Sequence, residues 1–185
     1  MAAKIVVTPD PPKRQAIGEL HKKATALLSD GHVEQAIELL RQAHQLMRKE
    51  AFCGDAVDKW LRLPLVLQKA GRFDEAMREF EALLSDLYAI KLKQLPQYPD
   101  EIVMLLTHRI RAVIYDRMRL ACKREKRLDL AQRYADLAEE ELRKADEADK
   151  LVEAWEKERR AAFRKARSDR RLMDAFYKKY PQSYR

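Results

Sequence analysis

Gly71-Arg72-Phe73-Asp74-Glu75-Ala76-Met77 repeats the pattern of Gly31-His32-Val33-Glu34-Gln35-Ala36-Ile37. In each stretch a turn residue is followed two positions later by a large apolar residue and, three beyond that, by alanine. Glycine supplies the left-handed backbone that ends one helix, and the apolar residue and alanine open the buried face of the next. A fainter third copy, Lys126-Arg127-Leu128-Asp129-Leu130-Ala131, has no glycine. Three such turns predict three helical hairpins in series, which is the mark of a repeat architecture.

The flanking sequence has the same character. Ile17, Leu20, Ala24, Leu27 and Leu28 lie at helical spacing and predict a helix over 11–28, with Asp10-Pro11 as its start. A second helix over 33–52 carries Ala36, Ile37, Leu40, Ala43, His44 and Met47, and Cys53-Gly54-Asp55 breaks it. Helices over 56–70 and 73–95 follow. Pro96 and Pro99 then force a loop, because each bars the residue before it from helical geometry. Asp100 caps a fifth helix over 101–124.

From Leu128 to Tyr180 no breaker occurs. One straight helix there would be roughly 75 Å long. Either a bend is therefore expected near 146–150 or at Ser168-Asp169, or the end projects into solvent or toward a partner, with Pro181 as the stop. Ile5-Val6-Val7 precedes a proline-rich run and reads as an arm, not a sheet. The expected organisation is an arm over 1–10, a helical repeat domain over 11–148 and a basic helical extension over 149–185.

The second copy of the repeat, with Trp60, Leu63, Pro64, Leu67, Ala76 and Phe80, resembles the tetratricopeptide repeat, whose pattern is W-x2-L-G-x2-Y and then A-x3-F. The first copy matches through Leu20, Ala24, Leu27, Ala36, Leu40 and Ala43. The third offers Tyr115, Met118, Cys122, Ala131, Ala135 and Ala138. The likeness covers residues 14–145. It implies an all-α, tetratricopeptide-like superhelix of about three hairpins with a long C-terminal capping or extension helix. The chain departs from the family in two respects. Pro64 stands where the family has glycine and removes a hydrogen bond to Trp60, which predicts a kink in the third helix. Equivalent turn residues are 40 and then 55 apart, against about 34 in the family. A plain antiparallel helical bundle would contain nearly the same helices.

Composition bounds the function. The chain has 185 residues, of which 46% are hydrophobic and 37% charged. Two cysteines are too few for a disulfide framework, and no run of about 18 apolar residues exists. The expectation is a cytoplasmic protein without a membrane span. The net charge of +8 is uneven: residues 150–185 hold 12 Lys/Arg and 5 Asp/Glu, or +7, leaving +1 for the rest. His21, His32, His44 and His108 have no metal-ligand spacing with Cys53 or Cys122. The four glycines are isolated, so no phosphate loop is present. No cofactor, metal or catalytic residue is expected.

In tetratricopeptide arrays the first helix of each pair lines a groove for a peptide or helix, and the resemblance implies one here. Its residues would be His21, Thr25 and Leu28; then Asp58, Leu61, Arg62, Leu65, Gln68 and Lys69; then Asp116, Leu120, Lys123 and Arg124. The family's clamp for chaperone tails is not matched, since its Lys and Asn in the first repeat are His21 and Thr25, and its Asn in the second is Arg62. The expected function is a non-catalytic protein-interaction adaptor or chaperone-like module, for a partner with apolar anchors and some acidic residues. The alternative is binding of RNA or DNA by Arg159, Arg160, Arg164, Lys165, Arg167, Arg170 and Arg171. Against that, Trp155, Ala162, Phe163 and Ala166 could make the same helix a cap for the stack, and its apolar stripe could pair two copies of the chain.

Overall fold

Gly31 and Gly71 both take left-handed backbone, with φ of 81° and 76°, and so does Lys126, with φ of 59°. The three turns share one hydrogen-bond pattern. The amide of His32 donates to the Leu27 carbonyl at 2.8 Å and that of Gly31 to Leu28 at 3.3 Å. Arg72 donates to Leu67 at 2.9 Å and Gly71 to Gln68 at 3.2 Å, while Arg127 donates to Cys122 at 2.9 Å and Lys126 to Lys123 at 3.1 Å. Each pair satisfies carbonyls that the ending helix would otherwise leave open. The third turn achieves this with a lysine in place of glycine.

The computed structural model describes residues 11–49, 57–95 and 98–180. The expected arm over 1–10, the break at Cys53-Gly54-Asp55, Pro96 and the stop at Pro181 lie outside the described residues. Among the described residues the chain is all-helical, with no strand: α1 (Pro11–Ser29), α2 (Val33–Lys49), α3 (Val57–Lys69), α4 (Phe73–Gln94), α5 (Asp100–Leu106), α6 (His108–Arg124), α7 (Leu128–Ala166) and α8 (Arg170–Lys179). α1 packs on α2, α3 on α4 and α6 on α7, giving three hairpins in chain order.

The three repeated alanines explain how closely each hairpin closes. Ala36, Ala76 and Ala131 are all buried. A methyl at that position lets two helix backbones approach, and a larger residue would hold them apart. One core lies between the first two hairpins, around Ala24, Ile37, Leu40, Leu63 and Leu67. A second joins all three through Ile17, Met47, Trp60, Phe80, Ile114 and Met118.

Successive hairpins are also tied at their turns, twice in the same way. Arg72, one residue past the second turn glycine, pairs with Glu34, three past the first, at 2.7 Å. Arg127, one past Lys126, pairs with Asp74, three past Gly71, at 3.7 Å. Further pairs join α2 to α4: Arg41 with Glu75 at 2.7 Å, and Arg48 with Asp86 at 2.9 Å.

One expectation is corrected. The helix expected over 101–124 is divided at Thr107, whose hydroxyl donates to the Met104 carbonyl at 2.6 Å while its own amide reaches the same carbonyl at 3.1 Å. Such back-bonding by a threonine shifts the local ladder and bends helices. α3 runs through Pro64, whose ring is buried in the core. No break occurs at 146–150, where Ala145 and Ala148 are buried. The chain turns at the other candidate, where the Asp169 carboxylate accepts from the amides of Arg171 at 2.8 Å and Leu172 at 3.3 Å, capping α8.

α7 therefore has 39 residues, about 58 Å at 1.5 Å per residue. It runs unbroken through the boundary expected at 148/149. Its far end is covered by α8, which folds back on it around Ala166, Phe176 and Tyr180, with Trp155, Ala162, Met173 and Tyr177 at the margin. Trp155, Ala162, Phe163 and Ala166, expected to cover the last hairpin, meet α8, and Trp155 also meets Tyr98 of the loop before α5 at 5.3 Å between ring centres.

Candidate functional site

The first helices α1, α3 and α6 are bridged by side chains. Arg62 on α3 donates to the His21 carbonyl on α1 at 3.0 Å and also bonds the Thr25 hydroxyl. At the other side of α3, Arg124 on α6 donates to the Gln68 amide oxygen at 2.6 Å. Partial burial lowers the Arg62 pKa; the group stays cationic at any physiological pH.

The thirteen residues expected to line a groove divide by burial. His21, Leu61 and Gln68 are 4%, 1% and 6% exposed, so these three face the interior and cannot line an open groove. Leu61 belongs to the core that joins all three hairpins. Gln68 is held by Arg124, and Arg62 is occupied in bridging α1. Leu28, Leu65 and Leu120 are half-buried, with Leu65 packed against the core. Asp116 is paired with Arg119 at 2.7 Å. Thr25, Asp58, Lys69, Lys123 and Arg124 are exposed and form the accessible part of the face.

Elsewhere, side chains with chemical potential are mostly committed. The Cys122 thiol is buried and its pKa is pushed up by that burial, which suppresses the reactive thiolate. Glu141 on α7, 5% exposed, meets His108 Nδ1 at 2.7 Å and Arg111 Nε at 3.2 Å. This cluster ties α6 to α7, and no spacing in the sequence marks Glu141 as its centre. Among the described residues no group of three or more His, Cys, Asp or Glu side chains is arranged to hold a metal ion, and no helix is long and apolar enough to cross a membrane.

The basic end of α7 is reshaped by α8. Arg159 sits 5.4 Å from the Trp155 ring centre and pairs with Glu156 at 3.1 Å. Burial pushes the Glu156 carboxyl upward, but hydrogen bonds from Arg159 and Tyr98 outweigh it and hold the group below its ordinary value. Arg160 also reaches Glu156, at 3.5 Å. Lys179 on α8 bonds Glu158 at 2.6 Å, closing the α7–α8 pair on its outer side. Between the two helices a depression of about 440 Å³ is lined by Arg159, Arg160, Phe163, Arg164, Phe176 and Tyr177. Arg164, which lines it, and Lys165, Arg167, Arg170 and Arg171, close to the α7–α8 turn in sequence, are exposed and have no carboxylate partner among the described residues.

Phe176 and Tyr177 were missed from the sequence. The signal was present, because Met173, Phe176, Tyr177 and Tyr180 recur at helical spacing just after a capping Asp169. No family model, no curated protein and no solved structure matches this chain.

Proposed function

We propose that the chain is a non-catalytic adaptor: a tetratricopeptide-like stack whose first-helix face holds a peptide or helix of a partner protein. The observation carrying this reading is the twice-repeated tie between successive turns, Arg72 with Glu34 and Arg127 with Asp74. A relation between hairpins that recurs from one junction to the next is what generates a solenoid, and a solenoid has one continuous face built from its first helices. The bridges from Arg62 to α1 and from Arg124 to α3 are consistent with α1, α3 and α6 sharing such a face.

The exposed cations Lys69, Lys123 and Arg124 cluster toward one end of it, at the C-terminal ends of α3 and α6. A partner segment with acidic residues at that end and apolar anchors against Leu28, Leu65 and Leu120 fits this chemistry.

The test is affinity capture with the full chain, using Lys69→Glu combined with Lys123→Glu. Both side chains are exposed and carry no structural pairing, so helicity by circular dichroism is expected to stay unchanged. Loss of the proteins captured by the wild type is the expected result. An unaltered set of captured proteins would remove the groove from consideration.

A further inference from the structure

The geometry points to a second, separate site at the α7–α8 tip: a binding notch for single-stranded nucleic acid, in which a base stacks against Phe163 and Tyr177 while Arg160, Arg164 and the turn cations hold phosphates.

The charge pattern is the first support. Over the rest of the described residues most arginines are matched: Arg41, Arg48, Arg72, Arg109, Arg111, Arg119, Arg127 and Arg143 have carboxylate partners. At the tip this matching stops. Between 159 and 173 the sequence has one carboxylate, Asp169. Its oxygen is taken by the α8 amides of Arg171 and Leu172. Five neighbouring cations therefore face solvent without a counter-charge, and four of them are arginines. Guanidinium groups match phosphate in a bidentate fashion and stack on planar rings, which lysine does not do.

The aromatic lining is the second support, and it decides between ligand classes. Phe163 is 44% exposed, although its ring is already edge-on to Phe176 at 5.4 Å between centres. Phe176 in turn stands edge-on to Tyr177 at 5.4 Å. Phe163, Phe176, Tyr177 and the arginines Arg159, Arg160 and Arg164 line one depression of about 440 Å³. An acidic polypeptide would use the cations and leave the rings wet. A base attached to phosphates uses both, because base–aromatic stacking and phosphate pairing are the two terms that bind single strands. A duplex keeps its bases stacked inside and could offer the notch only its backbone.

The experiment uses the full chain and a labelled twelve-nucleotide strand of mixed sequence, as RNA and as DNA, followed by fluorescence polarisation at 50 and 200 mM salt. With about five phosphates neutralised, affinity for a single strand should fall about a hundredfold between the two salt concentrations. Phe163→Ala should weaken binding about five- to a hundredfold while leaving the salt dependence unchanged. Arg164→Gln with Arg167→Gln should instead make the salt dependence shallower. Because Phe163 is half open to solvent, its truncation should leave helicity intact; Tyr177→Leu, which keeps apolar bulk, is the second probe of stacking.

The proposal is overturned if neither strand binds at 50 mM salt, or if both aromatic substitutions leave affinity unaltered. It is overturned equally if polyglutamate binds as tightly as the strands, which would assign the tip to an acidic polypeptide. None of these outcomes bears on the first-helix face, whose substitutions lie on α3 and α6.

Discussion

The three turns make a prediction with opposite signs at different positions. Lys126 holds a φ of 59°, a region that costs an L-residue about 1–2 kcal/mol. Replacing it with glycine removes that cost but adds freedom to the unfolded chain, worth about 0.4–1 kcal/mol against folding. The net expectation for Lys126→Gly is stabilisation by about 0.5–1 kcal/mol. Gly31→Ala and Gly71→Ala run the other way. A Cβ added at either position meets no heavy atom within 4 Å, so the penalty is the backbone term alone, again about 0.5–1 kcal/mol net. Gly18→Ala serves as the control. It lies inside α1, its Cβ also meets nothing within 4 Å, and alanine should stabilise a helix interior there by about 0.5–1 kcal/mol.

The assay is urea and thermal unfolding followed by circular dichroism. For a chain of this size 1 kcal/mol moves Tm by about 2–4 °C. The expected order of stability places Lys126→Gly and Gly18→Ala above the wild type, and Gly31→Ala and Gly71→Ala below it. Combining Gly31→Ala with Lys126→Gly, at the two ends of the repeat series, should return a value close to wild type by additivity. The reasoning fails if Lys126→Gly is destabilising, because the third turn would then not be the equivalent of the other two. It fails as well if Gly31→Ala and Gly18→Ala shift stability in the same direction, because backbone conformation would then not be the quantity in play.

Two further outcomes follow from the ion pairs. Glu141→Ala leaves Arg111 and His108 without their shared carboxylate at the α6–α7 contact, and should destabilise by about 2 kcal/mol; a change below about 0.5 kcal/mol would mean that solvent replaces the carboxylate freely. Glu75 is held below the usual carboxylate range by hydrogen bonds from Arg72 foremost, with Arg41 adding to it. A depressed folded-state value means the contribution is complete above the ordinary glutamate value of about 4.3 and is lost as pH falls through the lower folded value. Arg72→Gln should therefore be less stable than wild type at neutral pH, with the gap closing in acid, measured as urea midpoints across an acid series; a gap that does not vary with pH would exclude Glu75 as its source.

The hairpins were legible because their signals are local. Gly31 and Gly71 mark left-handed turns, and Ala36, Ala76 and Ala131 mark close approach; a turn and a small residue at fixed offset require no tertiary knowledge. Even the third turn, with neither glycine nor proline, was found by alignment to the other two. What was not legible depends on packing. Thr107 divides α5 from α6 by turning its hydroxyl to the Met104 carbonyl, an alternative to the helical ladder that a threonine in an apolar stretch does not announce. Pro64 lies inside α3, and the burial of its ring is a matter of packing that the sequence does not announce. Glu141 is buried because α6 brings His108 and Arg111 to it from 30 or more residues away. Among the groove residues, Leu61 and Gln68 could not be told from their exposed neighbours by spacing, since the face of α3 that meets α1 and α6 is set by how far the hairpins are rotated.

The length of α7 connects the two proposed surfaces. Its first half is held by the third hairpin, with Ala131, Glu141, Ala145 and Ala148 buried against α5 and α6. Beyond Ala148 the buried positions thin out until Ala166. An isolated helix of that remaining length would be marginal in water, because propagation gains little without an apolar face to cover. The chain supplies that cover by turning at Asp169 and laying Phe176 and Tyr180 along the same stripe, while the Tyr98–Trp155 contact anchors its base to the loop before α5. The satellite core so formed is too small to fold alone. It depends on the continuity of α7 with the stack, so the basic tip is carried at a fixed distance from the first-helix face by an unbroken helix and not by a linker. Two partners bound at the two proposed surfaces would be held apart by that unbroken helix.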